Sequence, residues 1–85
     1  MNNNYLLVIR NNAGAYLEKV TVQTNLEQCR EILQVMLYAN KNANRAEIIE
    51  GNRDYIGDFR VKPIEKFGIN LHRTLVRETD ENDKN

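Results

Sequence analysis

Thr24–Asn40, TNLEQCREILQVMLYAN, is the stretch whose reading decides the fold. At about 100° per residue, Leu26, Cys29, Ile32, Leu33, Val35, Met36, Leu37 and Ala39 fall on one side of a helix. Glu27, Arg30, Glu31 and Gln34 fall on the other, and Tyr38 joins that polar side near the C-terminal end. Thr24 and Glu27 have the S/T-x-x-E spacing of a capping box, so Thr24 is the expected N-cap. Asn40-Lys41-Asn42-Ala43-Asn44 is aperiodic and rich in turn formers, which ends the helix. The apolar arc spans about 200°, wider than one sheet face needs. The Ile32, Val35 and Ala39 flank is therefore available to a second surface.

Outward from the helix the period changes from 3.6 to 2. Upstream, Tyr5–Ile9 is a short run of aromatic, aliphatic and β-branched residues, the composition of a central strand buried on both faces. Asn11-Asn12-Ala13-Gly14 is a hairpin loop. Ala15–Gln23 then alternates, with Tyr16, Glu18, Val20 and Val22 on one face and Leu17, Lys19 and Thr21 on the other. Downstream, Arg45–Glu50 is a third strand, and Tyr55–Val61 alternates as a fourth that pairs with it and stops at Pro63.

If strands two and three are parallel, the helical crossover between them spans strand one and gives the order 2-1-3-4. The expected fold class is α+β: a two-layer ββαββ sandwich, mainly antiparallel, with one helix packed on one face. One helix leaves half of a doubly apolar first strand uncovered. Ile64–Val76, a segment of mixed period, is expected to close that face as a short helix or a fifth strand, and the alternative cover is a second copy of the chain. Residues 1–77 form one domain, followed by an acidic, apolar-free tail, 78–85, read as disordered.

Composition narrows function more by exclusion than by indication. Twelve basic residues against twelve acidic ones give no global field toward nucleic acid or an anionic membrane. The single Cys29 and single His72 make neither a disulfide nor a zinc set. Cys29 lies in the middle of the apolar stripe, where a thiol acts as a small hydrophobe. The glycines are isolated, so no phosphate loop is present, and Asp54 and Asp58 are flanked by Arg53 and Arg60 as surface ion pairs. No catalytic, cofactor or metal site is expected. With no basic leader and no apolar run of membrane-spanning length, the expected location is cytoplasmic, away from the membrane.

The arrangement YLLVIRNNAGAYLEKVTVQ, helix, RAEIIEGNRDYIGDFRV resembles, in layout over residues 4–62, small phage- or mobile-element-encoded accessory proteins. That resemblance implies a non-enzymatic interaction module that binds and inhibits a host protein, such as a CRISPR-like defence complex. Self-association as a homodimer is also expected, from the wide helix arc and the two-faced first strand. The residues expected to form the interaction surface are Ile32, Val35, Tyr38, Arg53, Arg60, Lys62 and Arg73. The alternative is a nucleic-acid-binding accessory protein. It rests on Arg53, Arg60, Lys62, Lys66, Arg73 and Arg77, which outnumber Asp54, Asp58 and Glu65 and are interleaved with Tyr55, Phe59 and Phe67. A small-ligand-binding oligomer is the third reading.

Overall fold

The computed structural model describes residues 3–51 and 63–78. Its elements are β1 (Asn3–Arg10), β2 (Tyr16–Thr24), α1 (Leu26–Ala39), β3 (Arg45–Glu50), β4 (Glu65–Ile69) and β5 (Leu75–Arg77). The strands form one antiparallel sheet in the order β2-β1-β3-β4-β5, with α1 packed on one face. The expected α+β class and the 2-1-3 core of the order hold. β2 and β3 run parallel on either side of β1, and α1, which joins them, lies chiefly over β1.

β1 takes the middle because both its faces are apolar. Tyr5, Leu7 and Ile9 face α1 and meet Cys29, Leu33, Met36, Leu37, Ala43, Ala46, Ile48 and Phe67 in the main core. Leu6 and Val8 face the other way and are wholly buried in a smaller cluster with Ile49, against which Tyr16 packs. At roughly 1.5–3 kcal/mol per buried aliphatic side chain, the five apolar residues of β1 are the largest local source of stability.

Three expectations are revised. The helix is capped by Asn25, not Thr24: the Asn25 side chain accepts from the Gln28 amide at 2.8 Å. Thr24 is still in the ladder, opposite Asn3, so the first residue free to cap is the next one. The second revision is at Tyr16. β1 pairs Ile9 with Glu18 but Arg10 with Tyr16, so Leu17 is an extra, bulged residue. Beyond the bulge the alternation flips, and Tyr16 lies on the face opposite Val20 and Val22.

Third, the place beside β3 is occupied by β4, in the register Ile48 opposite Glu65 and Ala46 opposite Phe67. The expected Tyr55–Val61 strand lies outside the described residues. The segment after Pro63 makes a hairpin that extends the sheet; it does not fold beneath the far face. Glu78 N–H donates to Lys66 O at 2.8 Å, and residues 79–85 of the expected tail lie outside the described residues.

Glu65 is the one buried charged side chain among the described residues, and it faces α1. Arg30 of the helix grips it with both Nε, at 2.9 Å to Oε1, and Nη2 to Oε2, while Arg77 Nη1 stands 3.8 Å from Oε2. A two-pronged pair of this kind overcomes the cost of taking the carboxylate out of water. Its hydrogen bonds from Arg30 hold the Glu65 carboxyl below its ordinary value of 4.5, against the opposing effect of burial.

Two outcomes follow from these contacts. Asn25→Ala removes the cap and lowers unfolding free energy by about 1 kcal/mol, whereas Thr24→Ala has a smaller effect, both read by urea denaturation. Because Glu65 is more acidic folded than unfolded, its contribution is fully present above pH 4.5 and is lost as pH falls through its folded value. Urea titrations from pH 6 down to about 3 therefore show a steeper loss of stability for the native chain than for Glu65→Gln.

Candidate interaction surface

The β4–β5 turn repeats the β1–β2 turn with one substitution of type. In the first, Asn11 Oδ1 accepts from the amides of Ala13 and Ala15, Gly14 N–H donates to Asn11 O, and Gly14 has φ 87°. In the second, Asn70 Oδ1 accepts from His72 and Thr74, Arg73 N–H donates to Asn70 O, and Arg73 has φ 61°. Both are three-residue hairpin loops with a left-handed last residue. Glycine suits that seat; arginine is strained there by about 1 kcal/mol.

The arginine is there because its guanidinium finishes the helix. Nη2 donates to Asn40 O at 2.9 Å and Leu37 O at 3.3 Å, and Nη1 donates to Ala43 O at 2.9 Å. The Asn40 and Ala43 amides already donate to Leu37 O and Asn40 O, but the last turn of α1 carries no basic residue of its own, so Arg73 adds second donors and the cation that the carbonyl end favours. Gln34 completes the clamp: its Nε2 donates to Arg73 O at 2.7 Å and its Oε1 accepts from the Leu75 amide at 3.1 Å. The five bonds fix the hairpin turn to the final two turns of α1.

This clamped corner presents apolar side chains to solvent. Tyr38, one helical turn beyond Gln34, is 64% exposed, and Leu71, two residues before Arg73, is 98% exposed; Val35, 67% exposed, lies farther round the helix. A turn tip needs no leucine for its geometry, so Leu71 has no role in the fold that its position explains.

Of the residues expected at the interaction surface, Tyr38 stands at this corner, Val35 is exposed farther round the helix, and Ile32 is half-buried against the main core. Arg73 is at the corner too, with its guanidinium turned to the helix carbonyls. Arg53, Arg60 and Lys62 lie outside the described residues. Sequence reading missed Leu71, because an isolated leucine in a segment of mixed period has no face assigned to it. It also missed Gln34, whose docking role needs a partner thirty-nine residues away.

The opposite face of the sheet carries a second polar constellation. The bulge at Leu17 puts the Tyr16 ring under Arg10, 4.3 Å from its centroid, and the Tyr16 hydroxyl accepts from Arg10 Nη2 at 3.0 Å. Arg10 also pairs with Glu47 of β3 at 3.1 Å and donates to Gly14 O, so all three of its nitrogens are engaged within the sheet and its hairpin. Cys29 is buried, and desolvation together with the nearby Glu65 charge raises its thiol pKa above the ordinary value, partly offset by Arg30. A thiol held protonated in this way is a poor nucleophile. Among the described residues no three His, Cys, Asp or Glu side chains converge as metal ligands, and no helix is long and apolar enough to cross a membrane.

Compared with known proteins, the chain matches no protein family, no curated protein and no solved structure.

Arg73 separates two opposing effects that substitution can isolate. Arg73→Ala loses the carbonyl contacts and keeps most of the backbone strain, and costs about 2 kcal/mol in chemical denaturation. Arg73→Gly loses the same contacts but relieves the left-handed seat, so it is more stable than Arg73→Ala by about 1 kcal/mol.

Proposed function

We propose that the chain is a non-enzymatic protein-interaction module that binds its partner through the corner formed by the C-terminal end of α1 and the β4–β5 turn. The observation that carries this is the exposure of Tyr38 and Leu71 on a scaffold fixed by Arg73 and Gln34. Apolar anchors already held in place lose little freedom on binding, and a tyrosine joins a large contact area to a hydroxyl that can hydrogen-bond. Such residues concentrate binding energy at protein interfaces.

The partner fitting this corner has an apolar pocket for Leu71 and Tyr38 with an acceptor or donor for the tyrosine hydroxyl. By the layout resemblance, that partner is a host protein, such as a defence complex, inhibited by a phage-type accessory protein acting in the cytoplasm. The nucleic-acid reading has less support. Of the cations it draws on, Arg73 is committed to helix carbonyls, Arg77 lies beside Glu65, and Lys66 sits opposite Glu47 in the sheet.

The test is affinity capture from the native host with the unaltered chain and with Tyr38→Asp combined with Leu71→Asp. The expected result is a partner retained by the first and lost by the second, with unfolding free energies matching within about 0.5 kcal/mol because both positions are exposed. A partner held equally by both would move the binding site elsewhere.

A further inference from the structure

The sheet ends differently on its two sides. β5, at one edge, is three residues long and finishes in Arg77. β2, at the other, is nine residues long and, among the described residues, has a strand neighbour on one side only. Natural edges are blunted with charge, proline, bulges or brevity. β2 has its bulge at Leu17 and one outer-edge lysine at Lys19, both near the hairpin, whereas Val20–Thr24 is a regular, uncharged stretch without proline.

The direction of the free backbone groups can be read from the ladder. Asn11 N–H donates to Ala15 O, toward β2, and Gly51 N–H donates to Asn4 O, toward β3. Odd-numbered residues of β1 therefore bond to β2 and even-numbered ones to β3. Tyr5 faces Val22 and Leu7 faces Val20 in that ladder, so the inward groups of β2 belong to its even-numbered residues. Lys19, Thr21 and Gln23 direct their amides and carbonyls to the open edge.

We propose that β2 is a homodimer interface, pairing antiparallel with β2 of a second copy about a two-fold axis at Thr21. An axis at Val22 would pair only Thr21 with Gln23 within the strand, and one at Val20 would carry Gln23 onto the bulged Leu17, so the axis at Thr21 gives the longest regular ladder. It places Thr21 opposite Thr21 and Lys19 opposite Gln23, so that the outward groups form about six hydrogen bonds. It also sets Val20 against Val22 twice, covering two half-buried valines on the α1 face with the cross-strand contact that stabilises sheets. A two-fold centred on Lys19 would put lysine opposite lysine, and one centred on Gln23 would run off the end of the strand at Thr24. Because α1 lies chiefly over β1, it leaves this edge open. The interface is on the opposite side of the sheet from the β4–β5 corner, so it does not depend on the function proposed for that corner, and the dimer would carry two such corners.

Sedimentation equilibrium of the full chain from about 10 µM to roughly 1 mM tests the pairing, because mass action moves such an equilibrium with concentration. The expected result is a monomer–dimer equilibrium in which Thr21→Lys, which sets two lysines face to face on the axis, raises the dissociation constant at least about tenfold. Gln23→Glu, which sets a carboxylate opposite each Lys19, is expected to tighten the dimer severalfold, an effect that fades with added salt. The amides of Lys19, Thr21 and Gln23 gain protection from hydrogen exchange as concentration rises. A chain that stays monomeric throughout, a dimer unmoved by both substitutions, or those amides exchanging freely in the dimer would overturn the proposal.

Discussion

The structure depends on a strand that must be buried on both faces. Leu6, Val8 and Leu7, Ile9 alternate across β1, and each pair needs its own apolar cover and its own ladder on either side. That requirement puts β1 between β2 and β3 and makes the β2–β3 connection a crossover. It also brings the helix over β1, where Leu33 and Leu37 complete the core. Glu65 is secured in the same layer, because Arg30 lies on the helix flank facing β4.

The second organising contact ties the end of the chain to the middle. Without Arg73 the Leu37 and Asn40 carbonyls would keep only the Asn40 and Ala43 amides as donors, and the β4–β5 hairpin would be joined to the helix by Gln34 alone among the hydrogen bonds at that corner. A strained φ at Arg73 is tolerated because several charge-assisted hydrogen bonds exceed its cost. The consequence reaches the surface: the turn that places Arg73 inward leaves Leu71 exposed to solvent. Packing, capping and the exposed corner are thus one arrangement. The two edges of the sheet also have separate characters, a short clamped hairpin at one and a long regular strand at the other.

Much of this was legible from period and composition. The helix, the first three strands, the Gly14 turn and the burial of Cys29 all follow from local signals, since each shows an uninterrupted apolar repeat or a residue suited to one conformation. The β4–β5 hairpin was not legible, because its turn has arginine where a turn reading looks for glycine. Tyr16 was misplaced because a bulge leaves no mark in a simple alternation. Leu71 was missed for a different reason: exposure is a property of what surrounds a residue, and its surroundings come from Gln34 and Arg73.

The sequence by itself determined the α+β class, the central position of β1 and the stripe that α1 buries, because these depend on residues within a few positions of one another. Only the tertiary structure decided where Ile64–Val76 goes, what Arg73, Gln34 and Glu65 do, and which apolar side chains stay in solvent. Those outcomes depend on contacts between segments thirty or more residues apart, and a buried carboxylate or an unfilled helix end is satisfied by whichever donor the folded chain brings to it.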